Sequence, residues 1–276
     1  GESYKSGSKP APLGVEDADL ADLLTHANRW HRLQAQRLIL EQQDTGFIPK
    51  LRSLLDSAEF DQARLHAFYA LEGLGAMDFD LVRQALSDPY PGLREHGVIM
   101  AERFESALPF LLDRLDDEDI RVVFQACLSL GQFSDDQRVL EGLANVIKRH
   151  GTDPWFRLAV LSSHAGSSLS LLDNLLERQD FDEVDTMLFP FIQELGYVVA
   201  RRRKGDEGPR FLDLLLATSS DNSDNWILRA KERFLEGVIH SGQKMHSGQR
   251  LNSILTEFQN SDSPRQRKLA TDYQVL

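Results

Sequence analysis

The sequence predicts an all-α protein in which antiparallel helix pairs stack into a right-handed α-α superhelix, a solenoid. Three observations predict it. Similar segments recur at steps of 29 to 34 residues, which is typical of helical repeats. Apolar residues between these segments follow helical spacing. Strand signals are weak, because Val and Ile are scattered and the chain has no Asn-Gly or Asp-Gly turn.

The recurring segments are predicted to be the second helix of each pair. They begin at Arg32, Arg64, Arg94, Val123 and Arg157. The third residue after the start is small in four of the five, namely Ala35, Ala67, Gly97 and Ala126. A small side chain lets a neighbouring helix approach closely. We therefore expect Ala67, Gly97 and Ala126 to be buried where adjacent helices touch.

Capping residues mark the ends of these helices. Asp or Asn side chains, which accept hydrogen bonds from the first free N–H groups, precede the segments at Asn28, Asp61, Asp88, Asp117 or Asp119, and Asp153. Glycines lie where helices should end, at Gly73, Gly75 and Gly131. The shorter amphipathic runs between the segments are predicted to be the first helices. In two of them, Pro49 and Pro109 occupy the first turn.

The repeats predict three regions along the chain. Residues 1–16 are rich in Gly, Ser, Pro and Lys and indicate a linker or a cloning remnant. Residues 17–163 hold five helix pairs, and residues 164–276 hold degenerate pairs that end in a polar-faced cap.

The runs "FIPKLRSLL" and "ALPFLLDRL", with the second helices that follow them, resemble HEAT repeats of the PBS-lyase-like type. The runs "ANRWHRLQAQRLILEQQD" and "ALSDPYPGLREHGVIMAE" are similar to the helical region of planctomycete-type membrane-bound dehydrogenases. That resemblance implies a parent protein with a β-propeller, HEAT repeats and a c-type cytochrome domain. It also implies a periplasmic or extracytoplasmic location, although a cytoplasmic one stays open. This chain lacks the C-x-x-C-H haem motif, so no catalytic residue of the family maps onto it.

The composition disfavours several other functions. A net charge of −12 would repel a nucleic-acid backbone. The sequence contains no run of 18 apolar residues, the length that would span a membrane. It also contains neither a P-loop nor a dinucleotide-binding glycine pattern. His66 and His96 hold equivalent positions in successive repeats, where helix spacing of roughly 10 Å is too wide for one shared zinc. We expect no cofactor, no metal and no catalytic residue in this segment.

Two polar segments could carry a binding or catalytic function. The basic run that begins at Arg201 predicts either an anion site or a solvated loop after a helix C-terminus. The sequence Ser162–Ser163–His164 lacks the G-x-S-x-G nucleophile elbow.

A helical wheel predicts the interaction surface. At about 100° per residue, the first and fifth residues after each start point away from the stack, onto its concave side. The predicted partner-binding residues are Leu65, Tyr69, Glu72, Glu95, Glu102, Phe124 and Leu128. Exposed apolar area at such positions usually marks an interaction site. The competing interpretation is a register error of one residue, which would place some of these side chains in the core.

These patterns favour a non-catalytic scaffold whose partner is another protein or a neighbouring domain of the same parent. The alternative is a HEAT-type enzyme, either bilin-lyase-like or DNA glycosylase-like. A glycosylase would need a basic concave stripe. Four segment starts could supply it, namely Arg32, Arg64, Arg94 and Arg157, although Glu72, Glu95 and Glu102 share that side.

Overall fold

The computed structural model describes residues 19–133, 136–177, 185–217, 225–245 and 248–276, and within these ranges it contains helices and no strand. The α-helices are α1 (Leu20–Leu23), α2 (Arg29–Gln42), α3 (Ile48–Ser57), α4 (Asp61–Gly73), α5 (Phe79–Leu86), α6 (Pro91–Ala101), α7 (Leu108–Asp113), α8 (Ile120–Ser129), α9 (Gln137–His150), α10 (Pro154–Leu161), α11 (Leu169–Glu177), α12 (Asp185–Arg202), α13 (Glu207–Ala217), α14 (Asn225–His240), α15 (Gln249–Gln259) and α16 (Pro264–Val275). Four short 3-10 turns accompany them.

The chain divides into two compact units, with the boundary in the sequence between Ala107 and Leu108. In the N-terminal unit, α1 packs on α2, α3 on α4 and α5 on α6, and the second helices α2, α4 and α6 contact one another in sequence. In the C-terminal unit, α8 and α9 pack on α10, α12 packs on α14, and α15 packs on α16. The prediction of an all-α chain of sequential helix pairs is confirmed. The right-handed superhelix and the three predicted regions, including the boundary at residue 163, stay predictions.

The small residues shared by the second helices lie at helix contacts, as predicted. Ala67 and Ala126 are fully buried. Gly97 is also buried, and a Cβ added to it would lie 3.0 Å from the backbone N of Leu86 and 3.1 Å from the Cβ of Ala85. A side chain at this position would therefore force α5 and α6 slightly apart.

The predicted N-caps are only partly correct. Asn28, Asp119 and Asp153 do cap α2, α8 and α10, because each side chain accepts a hydrogen bond from the backbone N–H two residues further on. Asp61 and Asp88 do not cap a helix, since the N-cap positions of α4 and α6 are Phe60 and Tyr90.

Asp61 and Asp88 instead bind the guanidinium of Arg64. The Nη2 of Arg64 lies 2.8 Å from Asp61, while its Nε and Nη2 each lie 2.9 Å from an oxygen of Asp88 in the next repeat. Arg64 and Asp88 are both buried. This ion pair ties one repeat to the next, and it accounts for two aspartates that the sequence pattern assigned to caps.

In four of the five segments, the arginine at the start binds the loop that leads into its own helix. Nη1 of Arg94 donates to the carbonyl oxygens of Asp88 and Pro89 at 2.9 and 3.1 Å. Nη1 of Arg157 does the same to Gly151 and Thr152, at 2.9 Å each. The carbonyls lie five and six residues before the arginine, and Arg32 makes the same pair of bonds. The guanidinium therefore satisfies loop carbonyls that no helix can pair.

We expect Ala67→Leu to lower the free energy of unfolding by about 1–3 kcal/mol, because the larger side chain would overpack a closed helix contact. Ser53→Leu, on the exposed face of α3, is the matched control and should change it by less than about 0.5 kcal/mol. Urea unfolding followed by circular dichroism measures both. Equal effects for the two variants would show that Ala67 does not lie at a tight contact.

Candidate protein-interaction surface

In the N-terminal unit, the helical wheel separates inward from outward residues on α4. Ala67 and Phe68 point inward and are fully buried. Leu65 and Tyr69, at the first and fifth positions after Arg64, are only half-buried. The competing interpretation of a one-residue register error is therefore wrong for this helix.

Hydrogen bonds fix the polar part of this surface. The Tyr69 hydroxyl lies 2.7 Å from Nδ1 of His96 on α6, and their rings meet edge-on. Partial burial, followed by the negative charges of Glu72 and Glu95, raises the pKa of Tyr69. Burial lowers the pKa of His96, and Glu95 opposes this effect. The hydroxyl and the imidazole thus form a neutral pair at neutral pH.

The histidines of successive repeats do not contact each other to form a row. Nδ1 of His66 lies 2.7 Å from Oε1 of Gln36 on α2, whereas His96 pairs with Tyr69 on α4. Each histidine therefore bridges its own helix to the preceding second helix. Burial, with a further contribution from the cations Arg32 and Arg29, lowers the pKa of His66.

The three predicted glutamates at the edge of this surface are half-buried. Glu72 accepts a hydrogen bond from Nη2 of Arg103 at 2.9 Å, so its charge is partly balanced. Glu95 lies on α6, and Glu102 is the C-cap residue of the same helix. The acidic rim is thus present in the N-terminal unit, where it accompanies Leu65 and Tyr69.

In the C-terminal unit, the surface is formed by the packed helices α8 and α10. Phe124 is half-buried and meets the buried ring of Phe156 edge-on, with centroids 5.6 Å apart. Leu128, one turn further along α8, is 36% exposed. The outward positions of this unit thus hold apolar side chains, as the wheel predicts.

Other apolar side chains of this unit are more exposed than the two predicted ones. Ile120 on α8 is 50% exposed, and on α10 Trp155 and Leu158 are 66% and 58% exposed. We call Ile120, Phe124, Leu128, Trp155 and Leu158 the α8–α10 patch. The wheel placed Leu158 on the outward face, but Trp155 and Ile120 were missed.

A sequence signal could have found Trp155. The run "NRWHRL" of α2 and the run "DPWFRL" of α10 share an N-cap, a Trp, the clamping Arg and an outward Leu. Trp30 and Leu33 of the first run are exposed, as are Trp155 and Leu158 of the second. The capped helix start and the buried arginine hold the Trp and the Leu outward in both units.

The predicted partner-binding residues are divided between the two units. The N-terminal unit carries Leu65, Tyr69, Glu72, Glu95 and Glu102, and the C-terminal unit carries Phe124 and Leu128. Each set is half-buried or exposed. Whether they form one binding surface stays a prediction.

The arginines considered for a basic stripe do not form one. Arg32, Arg64, Arg94 and Arg157 are all buried. Besides clamping their loops, Arg32 covers the ring of Phe60 at 5.0 Å and Arg157 binds Glu194 at 2.9 Å. Their guanidinium groups are bonded within the fold and are not displayed to a phosphate backbone.

The basic run at the end of α12 also makes structural contacts. Arg202 binds Glu207 and both the hydroxyl and the carbonyl oxygen of Ser167. Arg203 binds the side chain of Gln243 and, at 2.9 Å, the carbonyl oxygen of Lys244. The interpretation of this run as a solvated loop is therefore wrong for these two arginines, since each anchors a distant loop.

No metal ligands converge in the part of the chain that the structure describes, since it holds no group of three or more His, Cys, Asp or Glu side chains able to bind an ion. Among the helices of the same ranges, none combines the length and the apolar character that crossing a membrane requires.

Cys127 should be inert to thiol reagents in the folded protein. Burial raises the pKa of this thiol to about 12, and the thiolate is the reactive species. We expect no reaction with dithionitrobenzoate at neutral pH, and reaction of the single thiol of each chain in denaturant. A cysteine introduced at the exposed Ser162 is the positive control. Rapid modification of native Cys127 would contradict its place in the core.

Comparisons with known proteins leave the family open. No protein-family profile and no curated protein sequence matches the chain. A solved crystal structure of an engineered protein aligns over 93% of this chain and 77% of its own, with 13% sequence identity and a TM-score of 0.38. A similarity this low carries no argument about function, so the functional conclusion depends on the chain's own residues.

Proposed function

We propose that this chain is a non-catalytic helical-repeat scaffold of the HEAT type, which binds a protein or a neighbouring domain of its own parent. The observation that carries the proposal is the α8–α10 patch. Five large apolar side chains lie exposed or half-exposed on two packed helices, while the inward residues of the same helices are buried. Contiguous exposed apolar area on a protein is typical of an interaction site.

The chemistry of the patch suits a protein partner. Trp155 supplies a large rigid ring, and aromatic residues of this kind carry much of the binding energy at interfaces. Arg121, the charged residue between Ile120 and Phe124 on α8, is paired with Asp119 at 3.0 Å. The charge of Arg121 is therefore partly balanced where a partner would meet Ile120 and Phe124.

By resemblance, the proposal extends to a parent protein of the planctomycete dehydrogenase type and to a periplasmic or extracytoplasmic location. A HEAT-type enzyme, bilin-lyase-like or DNA glycosylase-like, is the alternative function. A glycosylase would need exposed arginines to form a basic stripe, and the four arginines considered for it are buried.

We expect the double variant Trp155→Ser, Leu158→Ser to weaken binding of the parent's other domains at least tenfold, because it removes the most exposed apolar groups of the patch. The domains are produced as separate polypeptides and binding is measured by titration calorimetry. Val275→Ser removes an even more exposed apolar side chain, close to the C-terminal Leu276, and is the control.

Unchanged binding in the double variant, with unchanged melting, would contradict the proposal for this patch. A fall in melting temperature of more than a few degrees would assign these side chains to the core. Binding lost equally in Val275→Ser would show non-specific adhesion.

A further inference from the structure

A polar cavity of about 420 Å³ lies in the C-terminal unit, and no residue of the α8–α10 patch lines it. The serine-rich stretch after α10 and the basic run at the end of α12 both contribute side chains to it. Its polar lining consists of His164, Ser168, Ser170, Arg202, Lys204 and Glu207.

The serine-rich loop is a fixed framework. The Ser163 hydroxyl donates to the carbonyl oxygen of Val160 in α10 at 3.0 Å. The hydroxyls of Ser167 and Ser168 donate to carbonyl oxygens of the loop itself at 2.7 and 2.6 Å. A Cβ on Gly166 would lie 1.9 Å from the carbonyl oxygen of Val160, so only glycine fits this turn. Arg202 ties the loop to α12 through Ser167. The loop therefore presents its exposed side chains from a defined position.

The charges of the cavity leave a positive excess. Glu207 is neutralised by Arg202, whose Nε and Nη2 lie 3.0 and 2.6 Å from one carboxylate oxygen. Lys204 is a second cation, and its Nζ lies 3.9 Å from Glu207, beyond hydrogen-bond distance. One full positive charge thus remains beside the cavity.

Hydrogen-bond donors without a partner also face the cavity. In the described ranges, the side chains of His164 and Ser170 line it and form no hydrogen bond to another residue of the chain. The N-terminus of α11 begins at the same place, with the Ser168 hydroxyl accepting from the backbone N of Leu171 at 3.1 Å. The positive end of the helix adds to the field of Lys204.

We propose that this cavity binds a phosphate group, either free phosphate or a phosphate monoester. Lys204 would supply the charge, and the His164 ring N–H and the Ser170 hydroxyl would donate hydrogen bonds to the phosphate oxygens. Arg202 holds the framework and keeps Glu207 neutralised. The proposal is independent of the protein-interaction function, because the cavity shares no residue with the patch.

The test titrates the 15N-labelled chain with sodium phosphate at constant ionic strength and follows backbone amide shifts. We expect saturable shifts at the loop and at the residues after α12, with a Kd on the order of 1 mM. Lys204→Met should weaken binding at least fivefold. Lys268→Met, on the exposed face of α16, removes the same charge elsewhere and should leave the affinity unchanged.

A parallel titration with glycerol phosphate distinguishes a site for free phosphate from a site for a phosphate monoester. Tighter binding than free phosphate assigns the site to a monoester, and equal affinity assigns it to phosphate itself. Shifts that do not saturate by about 50 mM, or an equal loss in Lys204→Met and Lys268→Met, would overturn the proposal as adventitious ion binding. Circular dichroism of each variant confirms that the helices are intact, and His164→Gln provides a second variant outside the framework bonds.

Discussion

Arg64→Met should lower the free energy of unfolding by about 3–5 kcal/mol, the cost of breaking a buried ion pair by removing one partner. Arg64 bonds both oxygens of Asp88 at 2.9 Å and the carbonyl oxygen of Ala58 at 2.7 Å. Methionine keeps much of the apolar stem but leaves the Asp88 carboxylate buried without its cation. Urea unfolding followed by circular dichroism measures the loss.

The control is Arg83→Met, which removes an exposed arginine paired with Asp80 at 3.0 Å. A surface pair of this kind contributes about 0–1 kcal/mol, so little change is expected. Adding Asp88→Asn to Arg64→Met should recover part of the loss, because asparagine removes the unpaired charge and can still accept from the backbone N of Tyr90. A loss below about 1 kcal/mol for Arg64→Met would show that this pair does not join the repeats.

Phe156→Ala should also lower the free energy of unfolding by about 3–5 kcal/mol, because it leaves a cavity among packed rings. Phe156 is buried between Phe124, at 5.6 Å, and His150, at 4.7 Å between centroids. Its neighbour Trp155 is the matched control, since it is aromatic, lies on the same helix and is exposed. Trp155→Ala should cost less than about 1 kcal/mol.

This pair of variants tests which face of α10 is core. Chemical denaturation gives both values on the same protein background. A large loss of unfolding free energy in Trp155→Ala would mean that the Trp155 ring packs in the core. The α8–α10 patch would then lose its most exposed member and its main support as an interaction site.

The helices could be predicted from sequence because their signal is local. Apolar residues at helical spacing and a small residue at a fixed position define the second helices, and Ala67, Gly97 and Ala126 lie where this pattern places them. The role of the arginines could not be predicted in the same way. A charged residue near a helix start is usually exposed, and only the loop conformation brings carbonyls five and six residues earlier onto the guanidinium.

The candidate surface was predictable in part. The wheel placed Leu65, Tyr69, Phe124 and Leu128 outward, because they occupy the first and fifth positions after their segment starts. It missed Ile120 and Trp155, which lie three and two residues before Val123 and Arg157, whereas every predicted position follows a segment start. The partners of Arg202 and Arg203 lie in loops about 35 to 40 residues away in sequence, at Ser167 and Gln243. Local sequence patterns do not predict contacts over this separation.

Photo-crosslinking from the patch tests the central claim, that the outward face of the second helices binds a protein partner. A photoreactive phenylalanine analogue replaces Leu158 in the protein as its native cell produces it, and the same analogue at the exposed Ser53 of a first helix is the control. We predict that position 158 crosslinks reproducibly to one site on one protein or domain, while position 53 gives no specific product. Identical products from both positions, or none from position 158, would contradict the claim.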